Sequence, residues 1–122
     1  MKQTKRIVCL LLCTAMVLGL SVVAAARWDK IHTIYCTADL TSDGTKVDAY
    51  ADMDTYEAEE LTIRLSVSAP GVTTRNYSSH LDSGDYLDFA RFISVEPDKT
   101  YTCKFTFIAS GEITTRTIYV YS

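Results

Sequence analysis

The chain has few of the parts that enzymes and nucleic-acid-binding proteins are built from. Histidine occurs only at His32 and His80 in 122 residues, and neither G-x-S-x-G nor H-E-x-x-H spacing is present. Nucleophilic catalysis and a zinc centre therefore lack their usual components, and both histidines read as solvated surface residues. No cluster of lysine and arginine stands beyond residue 26, which leaves no electrostatic footprint for phosphate backbones or anionic bilayers. Nucleic acid is excluded as a partner on this reading. Internal repeats and low-complexity segments are absent, and nothing after residue 26 follows the period of an amphipathic helix.

What is present begins with a leader. MKQTKR is followed by the apolar run IVCLLLCTAMVLGLSVV and by Ala24, Ala25 and Ala26, the basic, apolar and small-residue parts of a secretory signal peptide. Residues 1–26 are expected to be removed, leaving 27–122 as one secreted domain with no membrane attachment after cleavage. The apolar run approaches the ~18 residues of a spanning helix, but the small-residue boundary favours cleavage. The leader holds Lys2, Lys5 and Arg6 and no acidic residue, so the formal charge of −3 becomes −6 in the exported domain. A domain of that size has a marginal core unless something reinforces it.

Alternation of apolar and polar residues supplies the fold class. Ile34, Cys36, Ala38 and Leu40 share one face of a strand, and Asp43-Gly44 turns it into KVDAYADM, where Val47, Ala49, Ala51 and Met53 point inward. DTYEAEE reads as a loop or one helical turn. LTIRLSVSA resumes the alternation, and Pro70-Gly71 ends it. VTTRNYSSH reads as a short edge strand, and Asp82-Ser83-Gly84-Asp85 as a turn. In YLDFARFISV, Leu87, Phe89, Ile93 and Val95 point inward, while Arg91 interrupts the face and calls for a bulge or an edge position. TYTCKFTFIA and ITTRTIYVYS finish the chain around a tight turn at Ser110-Gly111. About seven short strands punctuated by turns predict an all-β, antiparallel sandwich.

Cys36 and Cys103 are the two cysteines left after cleavage, and both fall on the inward phase of their strands. In an oxidising compartment such a pair is expected to form a disulfide, worth on the order of 4 kcal/mol for a loop of this length. Tyr101-Thr102-Cys103 resembles the Tyr-x-Cys of strand F in immunoglobulin-like domains, which implies an immunoglobulin-like sandwich with a tyrosine corner. Cys36 stands in the first strand, whereas that family's usual partner is in the second. The whole is also similar to short secreted proteins of Gram-positive bacteria that join a signal peptide to a sandwich-like run of strands.

Candidate chemistry is sparse. Asp52, Asp54 and Glu57 are weak candidates for calcium ligands, since carboxylates crowd this segment, but the glycine and distal glutamate of an EF-hand loop are missing. A solvated acidic loop is the preferred reading, and no cofactor is expected. Tyr35, Tyr50, Tyr119 and Tyr121 fall on outward phases, where tyrosine supplies amphipathic contact area at low entropic cost. They are the candidate binding residues, with cross-strand packing as the competing account. The expectation is a secreted, non-enzymatic module that recognises an extracellular protein or carbohydrate. The alternatives are a structural, self-assembling cell-wall-associated domain and a small secreted hydrolase.

Overall fold

Apolar and polar residues alternate through most of the body of the chain, and the backbone responds with almost continuous strand. The computed structural model describes residues 29–122, so the expected signal peptide, residues 1–26, lies outside the described residues. Five strands follow one another: β1 (Ile31–Leu40), β2 (Lys46–Ala69), β3 (Val72–Ser94), β4 (Thr100–Ala109) and β5 (Glu112–Tyr121). All pairings are antiparallel. The first part of β2 lies between β1 and the last part of β3, whereas its second part lies between β4 and the first part of β3. β5 pairs with β4.

The sheet is strongly curled, and its two halves share one core. One half consists of β1 with Lys46–Asp54 and Tyr86–Ser94, and the other of Val72–Leu81 with Leu61–Ala69, β4 and β5. The guanidinium of Arg75 donates to the carbonyl of Ser94, so the two ends of β3 come back to face each other. Inward positions differ in size between the halves. Ala38, Ala49 and Ala51 line the first, while Tyr101, Phe105 and Phe107 project from β4 in the second, and all are buried. Large side chains on one layer complement small ones on the other, the pattern by which facing layers interdigitate into one core. Truncating Phe105 or Phe107 to alanine costs about 3–5 kcal/mol on this basis.

Five strands stand where seven short ones were expected. The acidic segment after Asp54 is neither a loop nor a helical turn, and Asp82–Asp85 is not a chain reversal. Both continue as strand through a bulged bend. Between the pairs Asp54–Tyr86 and Leu61–Leu81, seven steps of β2 face five of β3, and the surplus residues let the hairpin fold over without losing its pairing. Gly84 lies in this bend against the side chain of Leu81, where a Cβ meets the leucine methyl head-on. Arg91 sits in unbroken register opposite Ala49 on the outer strand, its guanidinium 4.9 Å from the Phe89 ring centroid, so the edge position resolves it without a bulge. Leu40, expected inward, is exposed at the end of β1.

The tight turns follow the sequence signals. Ser110 and Gly111 both have positive φ (43° and 90°), the requirement of a two-residue hairpin turn that matches strand twist. In the first turn Asp43 accepts hydrogen bonds from the Thr41 hydroxyl (2.7 Å), the Thr45 hydroxyl (2.8 Å) and the Thr45 amide (3.1 Å). Between β3 and β4, the buried Tyr101 hydroxyl accepts from the amide of Glu96 at 2.7 Å.

The expected disulfide between Cys36 and Cys103 is not made: both are thiols. Cys103 is fully buried on β4, opposite Val67 on one side and Ile118 on the other. Cys36 is half-buried on β1, where the Arg116 guanidinium of β5 acts on it. Inward phase brings both cysteines to the core, but β1 lies against β5 more than against β4, with Arg116 of β5 near Cys36, while Cys103 stands on β4.

Candidate functional site

The outward face of the first half is a grid of three strands and four rows. From one end, the rows read Thr33–Asp54–Tyr86, Tyr35–Asp52–Asp88, Thr37–Tyr50–Ala90 and Asp39–Asp48–Phe92. Period-two alternation places these residues together, because their neighbours at odd positions of β2 and β3 are the core. Tyr35, Tyr86 and Phe92 are 55%, 50% and 67% exposed, which marks the face as aromatic and open to solvent.

The tyrosines of this face touch. The rings of Tyr35 and Tyr50 are 6.1 Å apart at an angle of 57°, an arrangement suited to edge-to-face attraction. The Tyr50 hydroxyl donates to Asp52 at 2.8 Å and lies 3.4 Å from the Tyr86 hydroxyl. Those bonds to Tyr86 and Asp52 push the Tyr50 phenol well above its ordinary pKa. At the end of the grid, Asp54 accepts from both the amide and the hydroxyl of Thr33 at 2.7 Å, which with nearby His32 holds its carboxyl below the usual range. The His32 ring is 4.8 Å from that of exposed Tyr56.

Charge is the second property of the face. Asp39, Asp48, Asp52, Asp54 and Asp88 occupy five of the twelve positions, and no lysine or arginine occupies any. Asp39 stands directly opposite Asp48, and Asp52 directly opposite Asp88. Like charges facing each other across strands destabilise a sheet, on a scale of roughly 0.2–1 kcal/mol per pair.

The sequence-predicted binding residues divide between the two halves. Tyr35 and Tyr50 meet on the acidic face, and Tyr86, whose outward phase follows from inward Leu87 and Phe89, joins them. Tyr119 and Tyr121 are exposed on β5, across from Thr102 and Thr100, on the outward side of the other half. Of the weak calcium candidates, Asp52 and Asp54 belong to the grid and Glu57 to the bulged bend. Among the described residues no group of three or more metal-ligating side chains converges.

The outward side of the second half carries one catalytic-looking arrangement. The Thr62 hydroxyl is 2.8 Å from His80 Nδ1, and His80 Nε2 is 3.0 Å from Asp82. The order hydroxyl, imidazole, carboxylate matches that of a nucleophile with its base. Its setting does not match, because the Asp82 carboxylate is fully exposed and Thr62 is paired with His80 on one side and Ile108 on the other. Its backbone is committed to the sheet ladders, where an acyl-transfer site needs donors aimed at a developing oxyanion in a water-excluded setting.

No protein-family profile matches the chain, and no curated protein matches it. Among solved structures, it is similar to part of a Parabacteroides merdae β-glucuronidase, at 16% identity and a TM-score of 0.46 over 73% of this chain and 13% of that one. A Bacteroides uniformis β-glucuronidase gives 18% identity and a TM-score of 0.45 over 73% of this chain and 12% of that one. The chain thus spans about an eighth of the length of the enzymes it matches.

Proposed function

We propose that the protein is a secreted, immunoglobulin-like recognition module that acts without catalysis, through the outward face of its β1-containing half. The observation that carries this reading is the contiguous set of exposed Tyr35 and Tyr86 around half-buried Tyr50 on a regular sheet, with exposed Phe92 on the same face. Aromatic side chains on rigid strands lose little entropy on binding and give large contact areas to protein or sugar ligands. Two features support the immunoglobulin-like assignment. Cut at the bend, β2 and β3 become four segments and the sheet becomes seven, three in one half and four in the other. The Tyr101 hydroxyl bound to the backbone five residues upstream, two residues before Cys103, has the form of a tyrosine corner. Export is supported by the leader, with its basic, apolar and small-residue parts in order.

The structural, self-assembling alternative draws on β3, which among the described residues pairs only with β2 and so leaves one edge open along Val72–Ser94. That edge carries Arg75, Asp82, Asp85, Asp88 and Arg91 and a bulged bend, the devices that blunt edge-to-edge pairing. Recognition is therefore the favoured reading. Its test is a binding screen of the purified protein against immobilised glycans and extracellular proteins, repeated with Tyr35→Ala, Tyr86→Ala, Tyr119→Ala and Tyr121→Ala. Loss of about 2 kcal/mol or more in the first two, with the last two unchanged, is the expected result. Equal effects in all four variants contradict the assignment of the face.

A further inference from the structure

Building on that reading, we propose that the partner is a cationic protein segment bound in extended form along β2, with arginine or lysine residues four apart seated on the two opposed aspartate pairs. Asp39–Asp48 and Asp52–Asp88 are the opposed pairs; Lys46, the next outward residue of β2, stands just beyond Asp48 at the end of the grid, and no lysine or arginine stands beside Asp52–Asp88 in it. Such pairs are a liability to the free protein, and a ligand cation placed between the two carboxylates removes it. Their separation follows from strand geometry: Asp48 and Asp52 lie four residues apart on β2, about 13 Å, and the pair centres, on opposite flanks of β2, lie about 14 Å apart on a shallow diagonal. An extended chain shows every second side chain to the same side, so residues i and i+4 of a partner present two cations at that spacing.

Between the pairs stands Tyr50, with Tyr35 and Tyr86 around it, where the aliphatic stems and guanidinium planes of arginine stack favourably. The protein's net charge selects the occupant. An acidic molecule steers a basic segment toward this face and repels a second copy of itself, although the outward side of the other half carries Arg64 and Lys104. A neutral oligosaccharide stacks on the aromatic rings and donates hydroxyls to single carboxylates, but it brings no positive charge to offset the opposed pairs.

The test is titration of the purified protein with three probes by calorimetry at low and high salt. One is a ten-residue Ser/Thr peptide with two arginines four apart, the second has its arginines three apart, and the third is a neutral oligosaccharide. Tighter binding of the first peptide than of the second, weakening with salt, is expected. Asp52→Asn with Asp88→Asn is expected to reduce that affinity by about tenfold, while Asp82→Asn, the loss of one carboxylate at the bulged bend outside the grid, leaves it unchanged. No binding of either peptide, equal binding of the two, or equal loss in Asp82→Asn overturns the proposal. Oligosaccharide binding that is lost in Tyr35→Ala, with no peptide binding, overturns the cationic partner and leaves the recognition face standing. Failure of all three probes, together with a negative screen above, removes both.

Discussion

Burial separates the two thiols at the scale of single residues. Desolvation pushes the Cys103 thiol up to about 11, and no opposite charge offsets it. Burial raises Cys36 too, but the Arg116 guanidinium pulls it back in part, and its side chain is reached from solvent. Because thiolate is the reactive form, native protein treated with iodoacetamide is expected to label Cys36 slowly and Cys103 only after unfolding. Equal labelling, or an intact mass lighter by two hydrogen atoms, which marks a bridge, contradicts the thiol state of the pair. Asp43 behaves in the opposite sense. Hydrogen bonds from Thr41 and Thr45 lower its carboxyl to about 2. A depressed carboxylate stabilises the fold above its unfolded value near 4 and loses that contribution as pH falls through about 2. The side-chain carbonyl carbon of Asp43 is therefore expected to titrate near 2 by NMR, and the stability gap between the protein and Asp43→Asn to close between pH 4 and 2. A midpoint near 4 contradicts this account of the turn.

At the scale of elements, the strands were largely legible and the bends were not. Val47–Met53, Leu61–Val67, Leu87–Phe89 and Tyr101–Ala109 alternate so regularly that their inward phases were fixed by period alone. Asp54–Glu60 and Asp82–Asp85 carry polar residues in both phases, which is how a loop and a bulged strand on the protein surface look alike in sequence. The same blindness split the binding candidates. Outward phase is readable, but which half a strand joins is decided by pairing, so phase alone groups Tyr119 and Tyr121 with Tyr35 and Tyr50 and does not single out Tyr86. Attachment of β1 is likewise long-range: Glu112 at the start of β5 accepts from the amides of Lys30 (2.8 Å) and Ile31 (3.1 Å). Replacing Glu112 with alanine strands two donors and is expected to cost about 1–3 kcal/mol. Hydrogen exchange of the Ile31 amide should accelerate well beyond that of Phe105 and Phe107. An unchanged Ile31 rate contradicts the role of Glu112 as the clasp between β1 and the β4–β5 turn.

For the whole molecule, stability and recognition are set against each other on one face. The core is held by the inward residues, and nothing in its packing calls for opposed aspartates on the outward side of β1, β2 and β3. Proteins keep such local conflicts where function needs them. The most direct measurement of that claim needs no ligand: the melting temperature of Asp88→Asn, a change of charge with almost no change of shape. Removing one member of the Asp52–Asp88 pair is expected to raise the melting temperature by about 1–5 °C, the equivalent of roughly 0.2–1 kcal/mol in a domain this small. A lower melting temperature in Asp88→Asn contradicts the account, because it makes the acidic face part of what holds the fold together.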